Sequence, residues 1–269
     1  MSSVDFTKKP VIACIHLLPT PGTFNYDGNV EKIYELAIKE AKAFEKAGVD
    51  ALMIENHRDK PFFPDTVPNE TVALMAGVGR EIIKNVKIPI GLNVLRNDSE
   101  AAISIATSIG AKFIRINVHV GAVLAPHGII QTKAHKTLRL AKSLGANVEI
   151  FADAGVKHAY PFAYKNIKEE IRDLSVISNA IIVSGETTGS ETKVSDLITA
   201  KENTTKPVLI GSGITVDNID NYYSSADGFI VGSYFKTDGK ATSFVDEEKL
   251  EKFMNKVLNL RKKGQWKMF

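Results

Sequence analysis

One cysteine, Cys14, occurs in the 269 residues, which excludes an internal disulfide. It lies in the apolar run Val11–Leu17, where a small buried core side chain is expected. No stretch approaches the ~18 consecutive apolar residues of a spanning helix. The N-terminal stretch Met1–Pro10 is short and polar and lacks the apolar segment of a secretory signal, so a cytoplasmic location is expected. Neither sign of charge dominates. Thirty-four Lys and Arg against 31 Asp and Glu leave +3. They are interspersed, with no basic stripe for nucleic acid and no polybasic tail for a membrane. A G-x-G-x-x-G turn is also missing after the first apolar run. Pro19-Thr20-Pro21-Gly22-Thr23 stands there instead, which disfavours an open dinucleotide-binding sheet. No low-complexity tract, short-period repeat or shift of composition marks a domain boundary.

The composition, 44% hydrophobic and 24% charged, is that of a globular chain. Short apolar runs alternate with segments of helical spacing from end to end. The runs are Val11–Leu17, Ala51–Glu55, Pro89–Leu95, Phe113–His119, Val148–Asp153, Ala180–Ser184, Pro207–Gly211 and Gly228–Gly232. Helices are predicted near Glu31–Ala47, Glu70–Asn85, Ser99–Ser108, Thr132–Leu144, Asn166–Ile177, Val194–Asn203, Val216–Tyr223 and Asp246–Arg261. In the first of them Ile33, Leu36, Ala37, Glu40, Ala41 and Phe44 form a mostly apolar stripe. Gly48, Gly110 and Gly145 are placed to end helices, and Ser99 and Thr215 to cap them. Eight βα units in one series close most simply into a single (β/α)8 barrel spanning residues 1–269, with 1–10 as a short N-terminal extension.

In such a barrel the chemistry sits at the C-terminal ends of the strands. Those ends carry His16, Glu55-Asn56-His57, Asn93 with Arg96-Asn97-Asp98, then Arg115, Asn117 and His119, then Asp153 with Lys157 and His158, and Ser184-Gly185-Glu186. Arg115, Asn117 and His119 recur every second residue, so a continuous strand points all three to one side. Polar groups aimed into a barrel are costly unless they bind something. Each also has a plainer reading: His16 as a hydrogen-bonded core histidine, Glu55 as an ion-pair partner of Arg115, His57 and Arg58 as solvated loop residues. Asp153 suits an acid, a base or a cation anchor. The last two strand ends are rich in glycine. Gly211, Ser212 and Gly213 at one and Gly232 and Ser233 at the other leave room for backbone N–H groups to approach a phosphate, helped by a following helix N-terminus. The competing reading is that these glycines only form tight turns. The loop His57–Asn69, with Pro61-Phe62-Phe63-Pro64, is long enough for a lid or a contact with another copy of the chain.

His16-Leu17-Leu18-Pro19, Gly48-Val49-Asp50 through Glu55-Asn56, Gly91 through Asp98, Arg115-Ile116-Asn117-Val118-His119, Lys157-His158 and Gly211-Ser212-Gly213 together resemble the BtpA/SgcQ family. The resemblance runs from about Val11 to the final helix. It implies a barrel of the ribulose-phosphate-binding type. One branch of the family is associated with photosystem I biogenesis, as an assembly or stability factor; other members are found among sugar-metabolism proteins and are proposed nucleosidases.

Two functions compete. In the first, the chain is an enzyme acting on a phosphorylated sugar or nucleoside-like molecule. The phosphate rests on Gly211, Ser212, Gly213, Gly232 and Ser233. Glu55 and Asp153 face the sugar, and His16 protonates the leaving base in an N-glycosidic hydrolysis. Asn93, Arg96, Arg115, Asn117, His119, Lys157 and His158 hold the rest of the substrate. A Schiff-base aldolase, which needs a lysine at a strand end in the barrel mouth, is disfavoured, because the sixth strand ends in Ser184 and Lys157 lies in a loop. No cofactor is expected, and a divalent metal on Glu55, Asp153 and His16 has no spacing signature to support it. In the second, the barrel is a non-catalytic assembly factor that binds a protein complex through its surface. The expected partners are a phosphorylated small molecule and further copies of the chain, with no nucleic acid and no transmembrane segment.

Overall fold

The eight apolar runs fold into eight parallel strands that close on themselves. A computed structural model describes residues 3–156, 159–162, 166–185 and 190–265. In chain order the strands are β1 (Val11–His16), β2 (Ala51–Glu55), β3 (Ile90–Asn93), β4 (Phe113–Ile116), β5 (Ala122–Ala125), β6 (Gly128–Gln131), β7 (Glu149–Ala154), β8 (Tyr160–Pro161), β9 (Ala180–Val183), β10 (Val208–Ile210) and β11 (Gly228–Val231). The helices are α1 (Val30–Lys46), α2 (Asn69–Asn85), α3 (Ser99–Ile109), α4 (Ala134–Ser143), α5 (Ile167–Ile177), α6 (Val194–Asn203), α7 (Ile219–Tyr223) and α8 (Glu247–Gln265). The barrel runs β1-β2-β3-β4-β7-β9-β10-β11 and back to β1. This is the expected (β/α)8 architecture.

Two apolar layers hold it. The outward faces of the strands pack on the helices; Ile15, Leu52, Ile54, Leu92, Ile114 and Ile181 belong to that layer. The inward faces form a second, smaller cluster: Ile12 and Cys14 of β1, Ala51 and Met53 of β2, Phe113 of β4, Phe151 of β7, Ile182, Leu209 and Ile230. Because side chains alternate along a strand, the next inward position after Cys14 is His16, after Met53 Glu55, after Phe113 Arg115 and after Phe151 Asp153. The barrel interior is therefore apolar at its base and polar at its C-terminal end. Phe113 and Phe151 stack at 4.7 Å. Phe6 packs on Phe151 from below, so the N-terminal extension covers the barrel floor. Burying an apolar side chain of this size contributes about 1.5–3 kcal/mol.

The stripe of α1 is buried as its spacing predicts, Glu40 included, except for Leu36, which is half-buried. Glu40 accepts two 2.8 Å hydrogen bonds from Lys236 Nζ, and that lysine is fully enclosed. Several local expectations change. Asp98, not Ser99, caps α3: its Oδ1 accepts from Ala101 N while its Oδ2 accepts from Val67 N. Ser99 pairs with Thr137 instead. Thr215 does not start the seventh helix directly; residues 216–218 form a turn and α7 begins at Ile219. The fourth strand ends at Ile116, three residues short of His119. The chain beyond it forms a hairpin, β5–β6, which joins β8 in a three-stranded antiparallel sheet beside the barrel. That sheet was not expected. Its sequence signal is modest: two four-residue runs around Pro126-His127-Gly128.

Candidate active site at the barrel mouth

At the C-terminal end of the barrel lies a cavity of about 450 Å³, with His16, Glu55, Asn93, Arg115, Asn117 and Asp153 in its lining. The strand register brings them together. His16 on β1 is paired with Glu55 on β2, and Glu55 with Asn93 on β3. These side chains are buried.

They form one connected network. Arg115 donates through Nε to Asp153 Oδ1 at 2.9 Å and through Nη2 to Oδ2 at 3.0 Å. Asn117 donates to the same Oδ2 at 2.8 Å. Asn93 donates to the Arg115 carbonyl at 2.9 Å and to Asn117 Oδ1 at 3.2 Å. The third Arg115 nitrogen, Nη1, stands 3.6 Å from Glu55 Oε1, and His16 Nε2 stands 3.4 Å from Glu55 Oε2. Both are ion-pair contacts longer than ordinary hydrogen bonds. Glu55 Oε1 and His16 Nδ1 are buried polar atoms with no hydrogen-bond partner. A buried polar atom left unsatisfied costs about 1–3 kcal/mol, so such atoms mark places where something else binds.

The electrostatics separate the two carboxylates. Burial pushes the Glu55 carboxyl up, but the imidazole of His16, then Arg115 and His57, outweigh it and hold it at about 2. Burial disfavours the Arg115 charge, yet Asp153 and Glu55 together raise its pKa above the ordinary guanidinium value. Asp153 is thus the fixed anchor of Arg115, and Glu55 is the carboxylate with an oxygen to spare.

The expected residues are distributed unevenly. His16, Glu55, Asn93, Arg96, Arg115, Asn117, Asp153, Gly211, Ser212, Gly213, Gly232 and Ser233 all line the cavity. His119 does not: beyond the end of β4 it points away, with Nε2 3.2 Å from the Ile177 carbonyl, and burial lowers its pKa. Lys157 and His158 lie outside the described residues, as does Glu186. Asn56 and Asn97 serve the backbone. Asn56 exchanges hydrogen bonds with Leu95, and Asn97 with Val118. Most of the Asn93–Asp98 motif therefore shapes the loop that presents Arg96.

The glycine wall has a double role. Gly213 has φ +71°, and a Cβ there would collide with the Ser190 carbonyl. A Cβ on Gly211 would collide with Ser184 Oγ. The Ser212 hydroxyl donates to the Ser190 carbonyl and accepts from Gly185 N. Close packing on the neighbouring loop thus requires two of the glycines by itself. Gly232 is different, because a Cβ on it would come within 2.9 Å of the His16 ring.

The lining also includes Cys14, His57 and His127, which the sequence does not single out as functional. Cys14 is buried as expected, but it lies below His16 and borders the cavity. His57, read as a solvated loop residue, lines the cavity and packs on the His16 ring at 4.8 Å. His127, from the hairpin turn, packs on Phe62 at 5.2 Å over the mouth. The Pro61–Pro64 loop is therefore a partial cover: Phe62 faces the cavity while Phe63 is exposed. Inward alternation from His16 was the available signal for Cys14.

The BtpA family model matches residues 7–259. An uncharacterized protein of Methanocaldococcus jannaschii is 41% identical over 95% of this chain and 98% of its own length. The photosystem I biogenesis protein BtpA of Synechocystis is 38% identical, over 92% and 88%. The sgc region protein SgcQ of Escherichia coli is 32% identical, over 97% and 99%. Among solved structures, phosphoribosyl anthranilate isomerase from Thermus thermophilus aligns with a TM-score of 0.59 at 10% identity, covering 93% of this chain and 99% of that one. Tryptophan synthase of Mycobacterium tuberculosis aligns with a TM-score of 0.61 at 13% identity, covering 93% and 94%. At such identities these structures establish a shared barrel fold.

Proposed function

The chain belongs to the BtpA family, and we propose that it is an enzyme acting on a phosphorylated sugar or nucleoside-like small molecule. The observation that carries this reading is Glu55: a buried, ionised carboxylate with one oxygen that receives no hydrogen bond, at the floor of a 450 Å³ cavity. A barrel built for stability alone has no use for it. Structural neighbours named for phosphoribosyl anthranilate isomerase and thiamine phosphate pyrophosphorylase support a phosphorylated ligand. In our reading its phosphate rests against Gly213, Gly232 and Ser233, and its sugar faces Asn93, Arg96 and Asn117.

The reaction we favour is hydrolysis of an N-glycosidic bond. The bond from the anomeric carbon to nitrogen breaks, water supplies the new oxygen, and the proton that water gives up leaves on the nitrogen. A carboxyl held at about 2 is a poor proton acceptor near neutral pH. Glu55 therefore works through its charge and faces a positive centre. The test is a turnover screen of sugar phosphates and nucleoside monophosphates. A hit whose rate falls about 10²-fold in Glu55→Gln supports the reading; a hit that Glu55→Gln turns over at the full rate contradicts it.

A second reading, an assembly or stability factor, is favoured by one feature. The side sheet presents Leu124, Ile129, Tyr160 and Phe162 at 49–78% exposure. Such an apolar face suits contact with another protein, a second copy of this chain included. The name of the Synechocystis relative points the same way.

A further inference from the structure

We propose that Cys14, His16 and Glu55 are a three-ligand site for a zinc(II) ion whose fourth position opens into the cavity. One ligand atom from each residue lies within 4.8 Å of the other two. The backbone imposes this grouping. Cys14 and His16 are two residues apart on β1, so both face inward, and Glu55 is the register partner of His16 on β2.

Three observations point to a cation. First, two atoms of the group, His16 Nδ1 and Glu55 Oε1, are buried without a hydrogen-bond partner. Their residues are only 6% and 4% exposed, so water does not compensate for the loss. Second, Arg115 meets Glu55 Oε1 only as a long ion pair and gives it no hydrogen bond. Its Nη1 stays 3.6 Å away while its Nε and Nη2 are committed to Asp153. Third, Gly232 keeps the space beside the imidazole open: a Cβ there would come within 3.2 Å of His16 Nε2 and 3.4 Å of the Cys14 Cβ.

The donor set selects the ion. Thiolate, imidazole and carboxylate together suit zinc and exclude calcium and magnesium, which take oxygen ligands. Zinc sits about 2.0–2.3 Å from such donors, so side-chain rotations of about 1 Å close the group around it. Three protein ligands with one open position is the arrangement of catalytic zinc, in which a bound water ionises near neutral pH. A water in that position would supply the nucleophile that glycosidic hydrolysis requires. Binding of the ion stands independently of the phosphorylated-substrate reading; only its use in hydrolysis rests on that reading.

The full-length chain, stripped with a chelator and dialysed, is titrated with zinc(II) by calorimetry and with cobalt(II) by absorption. One zinc per chain and a near-ultraviolet thiolate-to-cobalt band are expected. Cys14→Ser removes the band, and Glu55→Gln, which keeps volume, weakens zinc binding at least tenfold. Circular dichroism confirms that both variants fold; if Cys14→Ser does not, Cys14→Ala takes its place. Cobalt bound by the wild-type chain without the band, or zinc bound equally by wild type and Glu55→Gln, overturns the site. Sugar-phosphate binding is measured separately on the metal-free chain, so failure of the ion and failure of the phosphate reading are told apart.

Discussion

Arg115 holds both carboxylate oxygens of Asp153, at 2.9 and 3.0 Å, from neighbouring strands β4 and β7. Removing one partner of a buried pair strands the other charge at about 3–5 kcal/mol. Asp153→Asn should therefore lower the urea midpoint of the protein clearly. The double variant Arg115→Met with Asp153→Leu should lose less than the two single changes combined. An Asp153→Asn chain as stable as wild type contradicts the anchoring role.

Glu55 makes stability depend on acid. Its carboxyl is held near 2 in the fold, against an ordinary value of 4.5. A lowered pKa contributes stability that is complete above the unfolded value and disappears as pH falls through the folded one. The shift corresponds to about 3 kcal/mol. Urea unfolding of wild type and Glu55→Gln from pH 6 to pH 2 should show the wild-type advantage shrinking below about pH 4.5. A difference constant across that range contradicts the ionised, buried carboxylate.

Testing the proposed phosphate contact needs a variant that spares the packing. Gly213 is unsuitable, because any Cβ there meets the Ser190 carbonyl. Ser233 lines the cavity just beyond β11. Ser233→Asp should reduce the affinity for a sugar phosphate at least tenfold through like-charge repulsion and leave the parent sugar unaffected. Equal loss for both ligands would place the phosphate elsewhere.

The apolar side sheet should join copies of the chain. Light scattering should give a mass above one chain for wild type, and Leu124→Lys with Ile129→Lys should shift it down. A monomeric wild type removes self-association as the purpose of that face.

The barrel was legible because eight apolar runs alternate with amphipathic segments, and the positions of His16, Glu55, Asn93, Arg115 and Asp153 followed from strand ends. The partners among them did not. Sequence offered Glu55 as the partner of Arg115, whereas the bidentate partner is Asp153, because β7 follows β4 around the barrel and Asp153 is the next inward residue after Phe151, the register partner of Arg115. His119 continued an alternation that the backbone abandons at Ile116, where the chain leaves to form the hairpin. Cys14 was hidden by its apolar neighbours, since its membership in the polar group depends on the register of β1 with β2. The glycines of the last two strands suggested phosphate. Their close contacts with Ser184, Ser190 and His16 depend on loops that no local pattern reveals.

A phosphorylated ligand at the barrel mouth is tested most directly by calorimetric titration of the chain with ribose 5-phosphate and with ribose. Charge-assisted hydrogen bonds to the phosphate are worth about 1.5–3 kcal/mol each, so the phosphorylated sugar should bind at least tenfold more tightly. Equal affinity for the two sugars would mean that the glycines only pack the barrel rim, and would contradict a phosphate site there.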